Sequence, residues 1–147
     1  MHCPVCSNKN TSVVDSRPVE GGFSIRRRRE CDKCHYRFTT TEEIELLDVM
    51  IVKRNGERES YMRDKLTSGI KKSLTKRQYT QENFSRLIRT IERDIQRKKS
   101  REISSRDLGN IIMRRLKNFD KVAYIRFASV YRDFKDVGSF SRELKKL

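Results

Sequence analysis

The chain has 147 residues, and its 35 Lys and Arg outnumber its 20 Asp and Glu to give a formal net charge of +15. This length suits one ordinary domain or two small ones, and no apolar run approaches the roughly 18 residues that cross a bilayer. The N-terminus also lacks a basic flank followed by an apolar stretch, so we expect a soluble cytoplasmic protein without a secretory leader.

The cysteines and the charge are distributed unevenly along the chain. All four cysteines lie in the first 34 residues, so the N-terminal part needs a stabilising device that the remainder lacks. Residues 1–45 carry eight Lys and Arg against seven Asp and Glu, so nearly all of the excess, a net charge of +14, lies in residues 46–147. Two domains are therefore expected, and the excess charge favours an anionic partner such as nucleic acid, although solvated helix faces would also account for it.

The N-terminal part combines short strands with two cysteine knuckles. Turn residues separate three β-prone runs, at 11–14, 23–28 and 36–40, which predict a small three-stranded module. Cys3 and Cys6 form one Cys-x2-Cys pair and, after 24 residues, Cys31 and Cys34 form another. This spacing predicts one tetrahedral Zn²⁺ per chain, and because the protein fills all four positions the metal is structural, not catalytic.

Other uses of the four thiols stay open on spacing alone. Iron fits the same tetrahedral thiolate set, since the geometry does not separate the two metals. Disulfides are disfavoured in a reducing cytosol, and a redox pair is disfavoured because neither knuckle opens a helix after a strand. His2 and His35 adjoin ligands, but four cysteines already complete the shell, so both are interpreted as bystanders or groups that bond to the ligands.

An arginine-rich strand leads into the second knuckle. Side chains alternate along a strand, so Arg26 and Arg28 are predicted to project together from one face while Phe23 and Ile25 face the small core. Arginine binds phosphate and guanine in a bidentate manner, so this pair predicts a DNA-binding surface. Arg17 at the turn and Arg37 on the next strand extend it, unless neighbouring acids neutralise the arginines.

The second domain begins after a polar boundary near residues 40–48. Asn55-Gly56 between the apolar strand 49–54 and the segment 57–61 predicts a β-hairpin, because Asn-Gly readily forms a type I′ turn. Apolar residues then recur at helical spacing in four segments, beginning near Leu66, Phe84, Leu108 and Phe119. Ser104-Ser105 is a candidate N-cap for the third helix, and Gly138 is expected to end the fourth.

Lys53, Arg54 and Lys65 are three cations close to the predicted start of the first helix. Such a group suits a triphosphate, although a charged hairpin edge would explain it equally well. The chain lacks a Walker A motif, so binding without hydrolysis is the natural interpretation.

The sequence resembles the bacterial NrdR repressors of ribonucleotide reductase genes over nearly its whole length. In the first domain the resemblance lies in these segments: Met1–Cys6, Asp15–Arg17, Ile25–Cys31, Cys34 and Arg37–Glu42. In the second it lies in Val52–Gly56, Glu59, Lys65 and Val122–Arg132, which are similar to the start and end of an ATP-cone. The resemblance implies an α+β protein, with a zinc ribbon that binds operator DNA at residues 1–45, a mainly helical ATP-cone with a short β-hairpin at 46–140, and a C-terminal tail at 141–147.

The resemblance also implies roles for individual residues. ATP and dATP are the expected allosteric ligands, and they would reset a homo-oligomer on boxes upstream of reductase genes. The positions that match nucleotide contacts of the cone are Ile51, Lys53, Arg54, Glu59 and Lys65, with Tyr124 and Tyr131 as candidates for the adenine side. When bound to DNA, such a protein would be associated with the nucleoid.

Two other classes compete with a transcriptional repressor. A reductase enzyme is disfavoured, because no cysteine follows Cys34 and 147 residues cannot hold a catalytic barrel. A zinc-ribbon accessory factor that binds RNA through its excess charge stays open. We therefore expect a protein without catalytic activity, and binding to operator DNA against structured RNA separates the remaining two classes.

Overall fold

A computed structural model describes residues 1–19, 22–44, 48–132 and 134–147. The chain divides into two compact units, Met1–Glu45 and Leu46–Leu147. The predicted domain boundary between residues 45 and 46 itself lies outside the described residues. Within the described ranges, no helix is long and apolar enough to cross a membrane.

The first unit is a three-stranded antiparallel sheet in the order β1-β2-β3. Its strands are β1 (Thr11–Val19), β2 (Ser24–Cys31) and β3 (Arg37–Glu43), so the three predicted strands are confirmed and are longer than the apolar runs indicated. Among the described residues of this unit, the buried ones are Cys3, Ser24 and Cys31. The ribbon therefore has almost no apolar core apart from its cysteines.

The second unit contains a small mixed sheet in the order β5-β4-β6. Strands β4 (Met50–Val52) and β5 (Arg58–Ser60) form the predicted hairpin. The predicted type I′ turn is wrong, because, of Asn55 and Gly56, only Gly56 has a positive φ, of 85°, and the Gly56 N–H donates to the Lys53 carbonyl at 3.0 Å. Strand β6 (Glu102–Ser104) was not predicted, and it pairs with β4 in parallel. The parallel pairing is possible because two helices connect the strands.

Five helices of the second unit are described. They are α1 (Arg63–Ser73), α2 (Gln81–Arg97), α3 (Ser105–Phe119), α4 (Lys121–Tyr131) and α5 (Val137–Leu144). The first four confirm the predicted helices, and the Ser104 hydroxyl caps α3 by accepting a hydrogen bond of 3.0 Å from the Asp107 N–H. The prediction for Gly138 is wrong: this residue lies in the first turn of α5, which Asp136 caps.

The core of the second unit is one cluster of apolar side chains from the helices and from β4 and β6. Its most deeply buried contributions from α2 and α3 are Ile88, Ile91, Ile95, Ile111 and Leu116. Helix α5 differs, since its buried residue is the charged Glu143. This helix crosses position 141, where the sequence alone predicts the start of a C-terminal tail.

Candidate functional site

The four cysteines converge at one end of the ribbon. Their Sγ atoms all lie within 4.8 Å of one another, with 3.6 Å between Cys3 and Cys34 and 3.5 Å between Cys6 and Cys31. Four sulfurs about 2.3 Å from a tetrahedral metal are about 3.8 Å apart, whereas a disulfide needs about 2.05 Å. The described thiols are free of disulfides, and their arrangement fits a tetrahedral metal ion.

Both knuckles have the same backbone turn, which is what aims their sulfurs inward. In the first, the Ser7 N–H donates to the Cys3 carbonyl at 3.0 Å, and in the second the His35 N–H donates to the Cys31 carbonyl at 2.9 Å. Ser7 and His35 each close the turn with a positive φ, of 57° and 55°. The equal spacing in sequence therefore produces two equal halves of one site.

The surroundings of the sulfurs favour the thiolate form at Cys31 and disfavour it at Cys34. Backbone N–H groups of Cys34 and Lys33 donate to the Cys31 sulfur and lower its pKa to about 6. The Tyr36 N–H acts similarly on Cys34, but desolvation and the neighbouring Cys6 and Cys3 thiols outweigh it and raise the pKa of Cys34 to about 12. All four thiols therefore lose their protons only when a metal cation balances the negative charge of the thiolates.

His35 has a partner other than the sulfur cluster. Its Nδ1 lies 3.2 Å from Glu30 Oε1, and Glu30 also accepts a 2.6 Å hydrogen bond from Arg37 Nε. These contacts lower the pKa of Glu30, chiefly through the Arg37 bond. Glu30 thus connects the second knuckle to the arginine-bearing face of the sheet.

All four predicted DNA-binding arginines line one groove of about 370 Å³ on the ribbon. Its lining residues are Asp15, Arg17, Arg26, Arg28, Arg37, Phe38 and Thr39. The strand register explains the convergence, because Arg17 lies directly opposite Arg26 on the neighbouring strand. A nucleic-acid backbone carries the negative charge that such a groove attracts.

Two of these arginines form ion pairs with acidic neighbours, and the other two are available to bind an anion. Arg17 pairs with Asp15 at 2.9 Å and Arg37 pairs with Glu30, whereas Arg26 and Arg28 form no ion pair among the described residues. Arg27 projects from the opposite face and pairs with Glu42 at 2.8 Å. The prediction that Phe23 faces the core is wrong: it is 45% exposed, because it precedes β2 and lies outside the sheet.

In the second unit, three of the predicted nucleotide contacts meet between the hairpin and the start of α1: Lys53, Glu59 and Lys65. Lys53 Nζ and Lys65 Nζ each lie 2.9 Å from Glu59 Oε2, and Ile51 is the strand partner of Glu59 in the hairpin. The hydrogen bond to Glu59 raises the pKa of Lys53, while the two lysines lower the pKa of Glu59. Ile51 itself is buried in the core.

Arg54 and Tyr131 meet on the other side of the hairpin. Arg54 Nη2 donates a 3.2 Å hydrogen bond to the Tyr131 carbonyl, and both residues line a cavity of about 920 Å³. Helix α1 contributes Gly69 and Lys72 to the same cavity. Lys65 lies four residues before Gly69, one turn earlier on the same side of α1, but it does not line the cavity.

Tyr124 lies apart from the other predicted nucleotide contacts. It is buried, and its hydroxyl donates to Glu143 of α5. Arg126, also on α4, was not predicted from the sequence. It lines the cavity and donates to the carbonyl oxygens of Ser73, the last residue of α1, and of Thr75. The α1 residues that line the cavity are Gly69, Lys72 and Ser73, and their helical spacing is the signal that could have located it.

Fold and sites together define a two-domain regulatory protein, in which a metal-binding ribbon carries a cationic groove and a mainly helical domain carries a second cationic site. Residues 1–42 match the family model for the N-terminal domain of NrdR-like transcriptional repressors, and residues 49–137 match that for the ATP cone domain. The relatives named "Transcriptional repressor NrdR" include proteins from Geobacillus sp., with 48% identity over all of this chain and 96% of the relative, and from Acetivibrio thermocellus, with 47% identity over 100% and 97%. A third, from Desulforapulum autotrophicum, is 50% identical over all of this chain and 89% of the relative.

The chain belongs to the NrdR family of transcriptional repressors. The four-cysteine cluster is the metal site of the family's zinc ribbon, and the second unit is a nucleotide-binding ATP-cone, which confirms the predicted fold class and cofactors. The relatives are named for a non-enzymatic role, in agreement with the expectation of no catalytic activity.

Proposed function

We propose that this protein represses transcription by binding double-stranded operator DNA, in boxes upstream of ribonucleotide reductase genes, and that ATP and dATP bound to its cone control this binding. The observation that carries the proposal is the groove in which Arg17, Arg26, Arg28 and Arg37 converge on a metal-braced sheet. Bound in this way, the protein is associated with the nucleoid.

The groove offers contacts both to the phosphate backbone and to the base edges of DNA. Arg26 and Arg28 are two residues apart on β2, which separates them by about 6.6 Å, close to the spacing of successive phosphates. Because neither has an acidic partner among the described residues, both guanidinium groups are available to phosphates or guanine edges. Arg17 and Arg37 exchange their carboxylate partners for phosphate at the groove's rim.

In the cone, the nucleotide site has a cationic end for the phosphates and a cavity for the nucleoside. Lys53 and Lys65 hold the phosphates, and Glu59, released from the lysines, accepts hydrogen bonds from sugar or base. Arg54 and Tyr131 border the adjoining cavity, whose volume of about 920 Å³ accommodates a nucleoside. Tyr124 lies outside this cavity, and its buried hydroxyl is bonded to Glu143, so it acts on the site only through the packing of α4.

Control of repression requires that the two nucleotides favour different assemblies. One small ribbon contacts few base pairs, so operator affinity depends on a homo-oligomer, with interfaces on the cone helices. ATP and dATP shift the oligomer only if they bind its states with different affinities.

The experiment measures binding of the zinc-loaded protein to a labelled duplex from a reductase promoter, to a scrambled duplex and to a structured RNA. Each is titrated with ATP, with dATP and with neither, and mass in solution is recorded in parallel. We expect preferential binding to the promoter duplex, with an affinity and an oligomer size that differ between ATP and dATP. Equal binding to all three nucleic acids with no effect of either nucleotide would overturn the proposal and favour the RNA-binding accessory factor.

A further inference from the structure

Tyr131, at the end of α4, is held against the first turns of α3. Its hydroxyl oxygen lies 3.2 Å from the Ser105 carbonyl oxygen and 2.6 Å from that of Arg106, and its one hydrogen is shared between these two acceptors. Its ring stacks on Phe127, one turn earlier on α4, with 5.8 Å between the ring centroids. The side chain is therefore fixed at both its ring and its hydroxyl.

The position of the Tyr131 ring depends on a glycine. Gly109 is buried in α3, and a Cβ atom added there would lie 2.0 Å from Cζ and 2.1 Å from Cε2 of Tyr131. No side chain tolerates such an approach, so any residue other than glycine displaces the ring. Glycine in a helix interior costs about 1 kcal/mol relative to alanine, and the closeness of the ring explains why the position nevertheless carries one.

Tyr131 and Arg54 form a wall between two cavities. Both residues line the cavity of about 920 Å³ described above, and both line a second one of about 780 Å³ that also contains Arg106 and Lys135. Because Arg54 donates to the Tyr131 carbonyl, the wall joins the hairpin to α4. Displacement of the ring from Gly109 would open one cavity into the other and leave the nucleoside pocket without its aromatic side.

We propose that Gly109 is a positioning residue for nucleotide binding, which acts by seating Tyr131 so that the ring and Arg54 close one side of the nucleoside pocket. Gly109 itself does not touch the nucleotide in this scheme. The inference rests on the proposed function, because it assigns the larger cavity to the nucleoside.

A double-mutant cycle tests this assignment by calorimetric titration of ATP into the full-length protein. Its variants are Gly109→Ala, Tyr131→Leu and the combination of the two. We expect each single variant to bind ATP about tenfold more weakly than the parent, as when an aromatic ring no longer stacks on a base. The combined variant should bind no more weakly than Tyr131→Leu alone, since Gly109 acts only through the tyrosine.

An ATP affinity of Gly109→Ala equal to that of the parent would overturn the positioning role. So would a combined variant in which the fold-losses of affinity of the two single variants multiply. If the parent itself binds no ATP, the nucleotide site of the proposed function fails and the inference fails with it. If Gly109→Ala does not fold, Tyr131→Leu decides, because it removes the ring that Gly109 seats without adding a methyl group to α3. Parental affinity in that variant would likewise overturn the proposal.

Discussion

At the scale of single residues, consecutive arginines of β2 have different roles because a strand alternates its faces. Arg26 and Arg28 project into the groove without acidic partners among the described residues, whereas Arg27 pairs with Glu42 on the other face. Removal of one cation that neutralises a phosphate reduces the slope of log affinity against log salt concentration by about 0.9. We expect a decrease of about this size in Arg26→Gln and in Arg28→Gln, measured on operator duplex.

Arg27→Gln is the matched control, since it removes the same charge from the opposite face. Its salt slope should equal that of the parent, and the zinc content of all three variants should be unchanged. A parental slope in both Arg26→Gln and Arg28→Gln would mean that DNA binds elsewhere on the protein.

The lysines at the hairpin lead to a second prediction at this scale. Lys53 and Lys65 both contact Glu59, and a nucleoside triphosphate offers them stronger anionic partners. Lys53→Met and Lys65→Met should each weaken ATP binding by about tenfold or more, because methionine cannot form the charge-assisted hydrogen bonds to phosphate. Calorimetry measures the affinity and metal analysis checks the zinc, which lies in the other unit. Lys145→Met, an exposed lysine after α5, is the control, and unchanged ATP affinity in both site variants would contradict the phosphate assignment.

At the scale of elements, the buried residue of α5 is charged, beside a ring contact of 5.4 Å between Phe140 of this helix and Phe134. Glu143, whose side chain is 3% exposed, accepts hydrogen bonds from Tyr124, from Arg132 at 2.9 Å and from Lys146 at 2.8 Å. Desolvation opposes ionisation of this carboxyl, but its three donors outweigh it and hold its pKa below the ordinary 4.5. A carboxyl of this kind stabilises the fold above its unfolded pKa and loses that contribution as pH falls through its folded pKa.

Denaturant unfolding of the cone between pH 7 and about pH 3.5 measures this contribution. At pH 7, Glu143→Gln should lower the free energy of unfolding by about 1–3 kcal/mol, because the ionised acceptor is removed. The difference from the parent should shrink as pH falls below about 4.5, since protonation then weakens the same hydrogen bonds in the parent. Glu82→Gln, an exposed carboxylate paired with Arg86 within α2, should change stability by less than about 1 kcal/mol at any pH. A difference between Glu143→Gln and the parent that does not vary with pH would contradict an ionic origin.

The elements also explain which parts of the fold the sequence predicted. Strand alternation was sufficient to predict that Arg26 and Arg28 share one face, and the knuckle spacing was sufficient to predict that the four cysteines meet. Arg17 and Arg37 join the same groove through the register of β1 and β3, which the sequence pattern does not specify. Strand β6 was missed because its three residues are too few to show alternation, and α5 was missed because its buried residue is Glu143. The close approach of Tyr131 to Gly109 joins residues 22 positions apart on different helices, so no local pattern indicates it.

At the scale of the whole molecule, the two units depend on different sources of stability. The second unit has an apolar cluster drawn from four helices and two strands, whereas the described buried residues of the ribbon are two cysteines and one serine. Burial of so little apolar surface does not balance the conformational entropy of about 40 residues, while zinc binding contributes roughly 10–16 kcal/mol in small zinc domains. Zinc is thus the main source of stability for the unit that holds the arginine groove.

Removal of zinc should therefore unfold one unit and leave the other intact. After treatment with a chelator, we expect the amide hydrogens of β1, β2 and β3 to exchange rapidly, while those of α2 and α3 keep their protection and ATP affinity stays within about twofold of the parent. Operator binding should disappear, because Arg26 and Arg28 no longer share the face of a strand. Addition of zinc should restore both the protection and the binding, and Cys34→Ser should reproduce the chelated state without chelator. Retained operator binding in the metal-free protein, or loss of protection in α2 and α3 together with the ribbon, would contradict this division of stability.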